Sequence, residues 1–320
     1  MLLVYWSLKG CTIKTISKLN TNFVVLKLNT NKKMKNRMNI IGFMAVLSLL
    51  NVGCGNSKAN IIEVKHDSIV EKSSEKENVV SNKDEDVIVP QWAQILIDSY
   101  PDAKLRYENN QILFPDGYAV VYDDGKTKTF NQQLDEADIE DSFAMQYYTG
   151  GGQPPYQADG GRSRSEAFFK KMYGSTSNEV NKKLTRINWF GKNVKVTTVN
   201  GVDKKLQAVM KELSSHPELK KYLKTAGTWY FRKVRGADRL SSHSYGIAID
   251  IGVGYSNYWL WSSKGANENT KITYKNKIPE QIAQIFEKYG FVWGGRWYHY
   301  DTMHFEYRPE IINASKKSNM

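Results

Sequence analysis

The chain has 320 residues, enough for one or two domains with a sizeable core. Its formal net charge of +12 is unevenly placed: residues 1–53 carry eight Lys or Arg and no Asp or Glu, so +12 − 8 leaves +4 for residues 54–320. A charge of +4 spread over the body is not the basic stripe that follows a phosphate backbone, so we expect no nucleic-acid binding. The two cysteines, Cys11 and Cys54, precede the expected folded region, which excludes a disulfide or a cysteine-ligated metal there.

Residues 34–54, which read MKNRMNIIGFMAVLSLLNVGC, have the layout of a secretory signal. Lys35 and Arg37 form a short basic region, and the apolar stretch at 40–50 is too short to span a bilayer comfortably. The segment ends on Cys54. It therefore resembles a bacterial lipoprotein signal, in which the cysteine is lipidated after cleavage.

Asn51 stands where lipoprotein signals usually have Leu, so the alternative is an ordinary signal peptide with an incidental cysteine. Residues 1–33 are superfluous to either signal, and we therefore expect translation to start at Met34 or Met38. Both alternatives place the mature protein in the cell envelope, facing the periplasm or cell wall. It would be either secreted or attached to the membrane through a lipid on Cys54.

The remaining chain divides by composition. Residues 55–89 are rich in Ser, Asn, Lys and Glu, and they have too little apolar surface to offset their ordering entropy, so we predict a disordered tether. Regular bursts of aromatic and branched residues begin at position 90. We distinguish an N-terminal part of the body at 90–184, whose role is open, a second part at 185–310, and a tail at 311–320.

Helices and strands are interspersed irregularly in the body, which favours an α+β fold. Alternation across an Asp-Gly turn predicts a hairpin in GYAVVYDDGKTKTF, residues 117–130, and a second extended segment with a turn at Gly191 spans residues 180–201. Helices are predicted where apolar residues recur at helical spacing or where Ser, Pro and Gly mark the ends. The predicted helical segments are 91–101, 165–174, 203–224 with a break near Ser214, and 278–290.

The segment SSHSYGIAID, residues 241–250, combines a histidine with an aspartate inside an apolar strand. Alternation after Gly246 sends three isoleucines to one face and Asp250 to the other. A carboxylate in such a strand is costly unless it is paired or bound to a cation. His243 lies just before the strand, where a turn can direct its imidazole toward Asp250. The isoleucines on the opposite face are Ile247, Ile249 and Ile251.

A second cluster, WYHYDTMHFEY at 297–307, supplies another imidazole and two carboxylates. Two histidines, one carboxylate and a water make up a common catalytic zinc site. If residues 301–307 formed one strand, Asp301 and His304 would face opposite ways, so we predict a turn at 301–303. His299 has aromatic neighbours, and we interpret it as a cleft-lining or surface residue and not as a ligand.

The order Ser-x-His-x-x-Gly-x-Ala-x-Asp followed by Asp-x-x-His resembles the signature of the zinc D-alanyl-D-alanine carboxypeptidases, including the VanY-like enzymes, and of the L-alanyl-D-glutamate endolysins. These families share a fold with the signalling domain of hedgehog, which implies a small antiparallel sheet flanked by helices. The resemblance covers residues 185–308 well and residues 90–184 weakly, which makes 185–310 the expected catalytic domain. The matching residues are Ser241, His243, Gly246, Ala248, Asp250, Asp301 and His304.

The resemblance implies a role for each matching residue. His243, Asp250 and His304 would bind one Zn²⁺ per chain, and Asp301 would be the general base. An arginine shortly before the first motif would steady the substrate carbonyl. We favour Arg232 for that role, with Arg235 and Arg239 as alternatives. Four further residues are expected beside the metal or the substrate, namely Ser241, Tyr245, Trp297 and Glu306.

The expected activity is therefore zinc-dependent hydrolysis of peptidoglycan stem peptides, with removal of the terminal D-alanine as the first choice. L-alanyl-D-glutamate endopeptidase activity is the close alternative, because the motifs do not separate exo- from endo-cleavage. The insertion at 252–277 is expected to decide between them. A catalytically silent wall-binding lipoprotein of the same fold and a phage-type lysin are weaker hypotheses. Asp301 argues against the silent lipoprotein, and the signal segment argues against the lysin. We expect a monomer.

Overall fold

The computed structural model describes the backbone of residues 2–8, 11–17 and 25–29 and the whole of residues 88–318. The predicted signal segment, Cys54 and the predicted tether up to residue 87 lie outside the described residues. The chain divides into two units, Met1–Val79 and Val80–Met320. The first unit contains an antiparallel sheet in the order β1-β2-β3, with β1 at Leu2–Leu8, β2 at Cys11–Ser17 and β3 at Val25–Asn29.

The second unit has an α+β fold, as the sequence predicted. Its strands are β4 (Arg106–Glu108), β5 (Gln111–Leu113), β6 (Ala119–Val121), β7 (Leu184–Trp189), β8 (Lys192–Thr197), β9 (Thr225–Gly227), β10 (Ala248–Ile251), β11 (Phe291–Trp293) and β12 (His304–Tyr307). Its helices are α1 (Gln91–Ser99), α2 (Phe130–Asp135), α3 (Glu166–Tyr173), α4 (Ser177–Asn181), α5 (Val202–Leu213), α6 (Trp259–Ser262), α7 (Glu280–Lys288) and α8 (Pro309–Ser318). Among the described residues, no helix is both long and apolar enough to cross a bilayer.

A four-stranded antiparallel sheet in the order β11-β12-β10-β9 carries both sequence motifs. In the β10–β12 pair, Asp250 lies opposite His304 and Ala248 lies opposite Glu306. Directly opposed residues of an antiparallel pair have Cβ atoms about 4.5–5.5 Å apart. The register of this pair therefore brings the carboxylate of Asp250 beside the imidazole of His304.

The other face of β10 and β12 packs into the main core. Ile247, Ile249 and Ile251 are each no more than 1% exposed, which confirms the predicted apolar face. Phe305 of β12 points into the same core, where the ring of Phe286 from α7 stacks on it with centroids 4.0 Å apart. Burial of these side chains anchors the two strands whose opposite faces carry the polar motifs.

Residues 90–184 belong to the same compact unit as residues 185–310 and share its core. Phe168 and Phe169 of α3 are 2% exposed and lie in the cluster that contains Ile249. The Tyr100 hydroxyl, just after α1, donates a hydrogen bond of 2.6 Å to Glu310 in α8. The N-terminal part of the body is therefore built into the structure that carries the motifs.

The predicted helices were confirmed, with the expected break after α5, and β7 and β8 form the extended pair that turns at Gly191. The hairpin predicted across the Asp-Gly turn was wrong, because β6 pairs with the preceding strand β5. After Gly125 the chain leads Lys128 into an acidic cluster, where its ammonium group lies 3.0 Å from Asp138 and also contacts Asp141. Three acidic partners hold Lys128 there, the third being Asp124, so this stretch does not pair with β6.

Candidate metal centre and its cleft

The first candidate ligand lies on a short 3₁₀ turn, Ser242–Tyr245, directly before β10. Gly246 ends this turn with a φ of 70°, a left-handed conformation that glycine adopts without strain. A Cβ atom on Gly246 would also lie 2.6 Å from Leu184 Cδ2, so the position requires glycine for space as well. The turn directs His243 back toward Asp250 on the strand that follows.

The structure brings His243, Asp250 and His304 together, with one ligand atom from each within 4.8 Å of the others. Asp250 Oδ1 lies 3.2 Å from His243 Nε2 and 3.0 Å from His304 Nδ1. In a tetrahedral zinc site with bonds of about 2.0–2.2 Å, ligand atoms are about 3.3–3.5 Å from one another. The two distances to Asp250 lie within a few tenths of an ångström of these values, so the three side chains suit a single divalent cation.

Hydrogen bonds on the far side of each imidazole decide which nitrogen faces Asp250. His243 Nδ1 donates to the carbonyl oxygen of Thr228, and His304 Nε2 donates to Glu306 Oε2 at 2.9 Å. These bonds leave His243 Nε2 and His304 Nδ1 as the nitrogens available to a cation. Outer hydrogen bonds of this kind fix the tautomer and the ring orientation of metal-binding histidines.

The charges of the cluster are mutually dependent. Burial opposes protonation of His304, yet the carboxylates of Asp250 and Glu306 raise its pKa to about 10. Burial would raise the pKa of Asp250, but the imidazoles of His243 and His304 hold it well below its usual range. A cation that binds here must displace the proton from His304 Nδ1, so metal binding releases a proton.

Glu306 is a buried carboxylate that arginines keep ionised. It is 1% exposed, and its Oε1 lies 3.5 Å from Arg164 Nη1 and 3.4 Å from Arg308 Nη1. Burial alone would raise its pKa, but Arg164, His304 and Arg308 hold that pKa well below the usual range. Glu306 therefore remains an acceptor for His304 Nε2–H.

Asp301 lies beside the three candidate ligands, at the turn that the sequence predicted. Its carbonyl accepts a 3.1 Å hydrogen bond from His304 N–H, and residues 302–303 form the turn before β12, so Asp301 and His304 face the same side. Burial, together with the charge of Asp250, raises the pKa of the Asp301 carboxyl to about 6. Its Oδ1 is buried without a protein partner among the described residues.

Gly294 holds Asp301 in place. Asp301 N–H donates to the Gly294 carbonyl at 2.9 Å, and a Cβ atom on Gly294 would collide with the Asp301 carbonyl oxygen. The two backbones are therefore in close contact, and only glycine permits that approach.

The metal cluster opens into a cleft of about 390 Å³. Arg232, Arg235 and Arg239 all line it, as do Arg162 and Arg164 from the N-terminal part of the body. Arg162 and Arg164 were missed by the sequence analysis, because the long loop that carries them shows no motif. The aromatic residues of the cleft wall are Tyr258, Trp259, Trp261 and Trp297.

The remaining predicted site residues are found in different places. Ser241, Trp297 and Glu306 line the cleft, and His299 lines it too without approaching the metal cluster as a ligand. Tyr245 is fully buried between Phe169 and Tyr173, so the structure places it in the core and not beside the metal or substrate. Ser242 was not predicted, yet its Oγ lies 3.2 Å from His304 Nε2.

Residues 235–307 match a family model described as D-alanyl-D-alanine carboxypeptidase. The matched segment contains His243, Asp250, Asp301 and His304, and it supports a zinc-dependent metallopeptidase acting on peptidoglycan at the family level. The match is to the family and does not distinguish carboxypeptidase from endopeptidase. Comparison with curated proteins and with solved structures gave no match.

We predict that Glu306→Gln weakens zinc binding by about 10- to 100-fold, because the outer acceptor of His304 loses its charge. Competition with a chromogenic chelator measures the affinity. The matched control is Glu310→Gln: Glu310 is equally buried and also bonded to Arg308, but it does not contact His304. Equal zinc affinity in the two variants would contradict this role of Glu306.

We also predict that Gly294→Ala lowers peptide hydrolysis by about tenfold or more while zinc stays bound, because the added methyl group displaces Asp301. Zinc content by elemental analysis and hydrolysis of a stem peptide are measured on the same sample. Gly254→Ala is the control, since a Cβ atom there meets nothing within 4 Å. If both variants hydrolyse the peptide as the wild type does, the contact between Gly294 and Asp301 is unimportant.

Proposed function

We propose that the protein is a zinc-dependent peptidase that hydrolyses peptidoglycan stem peptides, most simply by removing the terminal D-alanine. The observation that carries the proposal is the cluster of His243, Asp250 and His304 with Asp301 beside it, inside the segment that matches the peptidase family. A purely structural metal has no need of a carboxylate base at an open cleft, so Asp301 favours an enzyme over a silent wall-binding protein.

The proposed chemistry divides among the side chains of the cleft. Zn²⁺ in such a site supplies Lewis acidity, which polarises the scissile carbonyl and lowers the pKa of a bound water. Asp301 accepts the proton of the attacking water and returns it to the leaving amine. Arg232 donates to the carbonyl oxygen as negative charge develops there.

The backbone of Arg232 supports this role, because it is tied to the turn that carries His243. Arg232 N–H donates to Ser244 Oγ at 2.8 Å, and Ser244 Oγ donates to the Arg232 carbonyl at 2.6 Å. Ser241 N–H also donates to the same carbonyl, at 3.0 Å. The backbone from which the Arg232 side chain extends is therefore held in a fixed position next to His243.

The charge of the cleft favours a carboxypeptidase over an endopeptidase. Arg232 and Arg235 line the cleft, and within the described part of the chain neither has a carboxylate within 4.0 Å. A peptide that ends in D-alanine presents a carboxylate next to the scissile bond, and a guanidinium binds a carboxylate through two parallel hydrogen bonds. We further propose that the enzyme acts in the cell envelope as a monomer, either secreted or anchored to the membrane through a lipid on Cys54.

His243→Ala should abolish stoichiometric zinc, because two remaining ligands hold the ion too weakly. Elemental analysis of the purified protein after dialysis measures the zinc. His216→Ala is the matched control: it removes an imidazole that lies at the start of a 3₁₀ turn and near Gln281, remote from the cluster. Stoichiometric zinc in the His243→Ala protein would refute the ligand assignment.

Zinc-loaded enzyme should release free D-alanine from purified sacculi or from a synthetic stem pentapeptide, with mass spectrometry identifying the products. Asp301→Asn should bind the same amount of zinc and hydrolyse about 10²–10⁴-fold more slowly, because the general base is lost. Cleavage between L-alanine and D-glutamate would instead identify an endopeptidase. Hydrolysis unaffected by Asp301→Asn would disprove the mechanism even with zinc bound.

A further inference from the structure

A buried aspartate–histidine pair adjoins the cleft, and His299 is the member that lines it. Asp159 and His299 are 0% and 1% exposed. His299 Nδ1 lies 2.6 Å from Asp159 Oδ2, and the backbone N–H of His299 donates to Asp159 Oδ1 at 2.9 Å. Both carboxylate oxygens of Asp159 are therefore used to hold one residue, which fixes the backbone and the ring of His299 together.

The charges around this pair determine which ring nitrogen carries the proton. Burial would raise the pKa of Asp159, but Arg162 and the bonds from His299 lower it below its usual range. An ionised carboxylate only accepts hydrogen bonds, so His299 Nδ1 must be the donor. Arg162 is itself held by two bonds of 2.8 Å to Glu268 in the insertion between the motifs.

The other ring nitrogen, His299 Nε2, is buried, and no atom in residues 88–318 forms a hydrogen bond with it. The imidazole ring of His299 has aromatic neighbours: its centroid lies 4.7 Å from that of Trp259, which is edge-on to it, and 5.7 Å from that of Phe130. With its proton on Nδ1, a neutral imidazole offers Nε2 as an acceptor. His299 thus places one hydrogen-bond acceptor next to the aromatic rings of the cleft wall.

Buried polar atoms without partners are concentrated at this cleft. Six such side-chain atoms occur among the described residues, and three of them belong to residues that line it: Arg239 Nε, His299 Nε2 and Asp301 Oδ1. Buried polar groups are nearly always hydrogen-bonded in folded proteins, so a group of exceptions at one cleft indicates a ligand that completes their bonding.

We propose that His299, oriented by Asp159, is a substrate-binding residue whose Nε2 accepts a hydrogen bond from a backbone amide N–H of the peptide in the cleft. The proposal rests on the proposed function, because it takes the ligand to be a peptide. A peptide backbone alternates acceptors with donors. The arginines of the cleft satisfy carbonyl and carboxylate oxygens, while an amide N–H needs an acceptor that is not engaged in the chemistry.

Two substitutions separate this role from a structural one. His299→Asn keeps an N–H donor for Asp159 near the position of Nδ1 but removes Nε2. His299→Gln keeps a side-chain oxygen near the position of Nε2. Each change is made in the Asp301→Asn protein loaded with zinc, so that binding is measured without cleavage. Zinc content and thermal unfolding are recorded for every protein.

The ligand is a stem pentapeptide ending in D-alanyl-D-alanine, together with a set of analogues in which each backbone amide is N-methylated in turn. Isothermal titration calorimetry gives the Kd values. We expect His299→Asn to weaken binding of the parent peptide by about tenfold, because one hydrogen bond is lost. His299→Gln should weaken binding less, because its side-chain oxygen partly replaces that bond. Zinc content should not change.

The N-methyl series identifies the contact. To the protein with His299, one analogue should bind about tenfold more weakly than the parent peptide. To the His299→Asn protein, the same analogue and the parent peptide should bind about equally, because the hydrogen bond is already absent there. If every analogue loses the same affinity in both proteins, His299 is structural and the inference is refuted. If the peptide binds with this pattern but wild-type enzyme cleaves nothing, the proposed function fails while the inference stands.

Discussion

The pairing of β10 with β12 is the constraint on which the candidate site depends. Strand register places Asp250 directly opposite His304, and a shift of one residue would turn Asp250 toward the core and Ile249 toward the cleft. Burial of Ile249 and Phe305 prevents that shift, because the same slip would expose two side chains that are 0% accessible. The apolar face of the sheet therefore determines the geometry of its polar face.

On the polar face of the sheet, a network of buried charges connects the candidate ligands to the N-terminal part of the body. Glu306 bonds to His304 on one side and approaches Arg164 and Arg308 on the other. Arg308 also pairs with Glu310, which accepts a hydrogen bond from Tyr100. Removing one member would leave a buried charge without its partner, so each member stabilises the fold around the site.

This network explains why the N-terminal part of the body cannot be separated from the part that matches the peptidase family. Arg164 reaches Glu306, and Asp159 and Arg162 organise the wall of the cleft around His299. All three come from a loop with no recognisable motif. Composition did not indicate a role for residues 90–184. In the structure, these residues complete the core and supply one side of the cleft.

Local patterns in the sequence were sufficient for much of this site. The alternation of Ile247, Ile249 and Ile251 against Asp250 identified β10 and its two faces, and the spacing of Asp301 and His304 required the turn that the structure contains. Both results follow from the period of two in a strand, which acts over a few residues and can be read from adjacent positions.

Only the tertiary structure decided the contacts between distant segments. The sequence placed Glu306 beside the metal or the substrate without indicating its partner. It did not indicate Asp159 beside His299, because no periodicity links residues 140 positions apart. Tyr245 sits inside a matching motif yet points into the core. Two turn signals flank the strand at 119–121, and the strand pairs across Pro-Asp-Gly at 115–117 and not across Asp-Gly at 124–125. Burial and pairing depend on which surfaces meet, and that is determined by the packing of the whole chain.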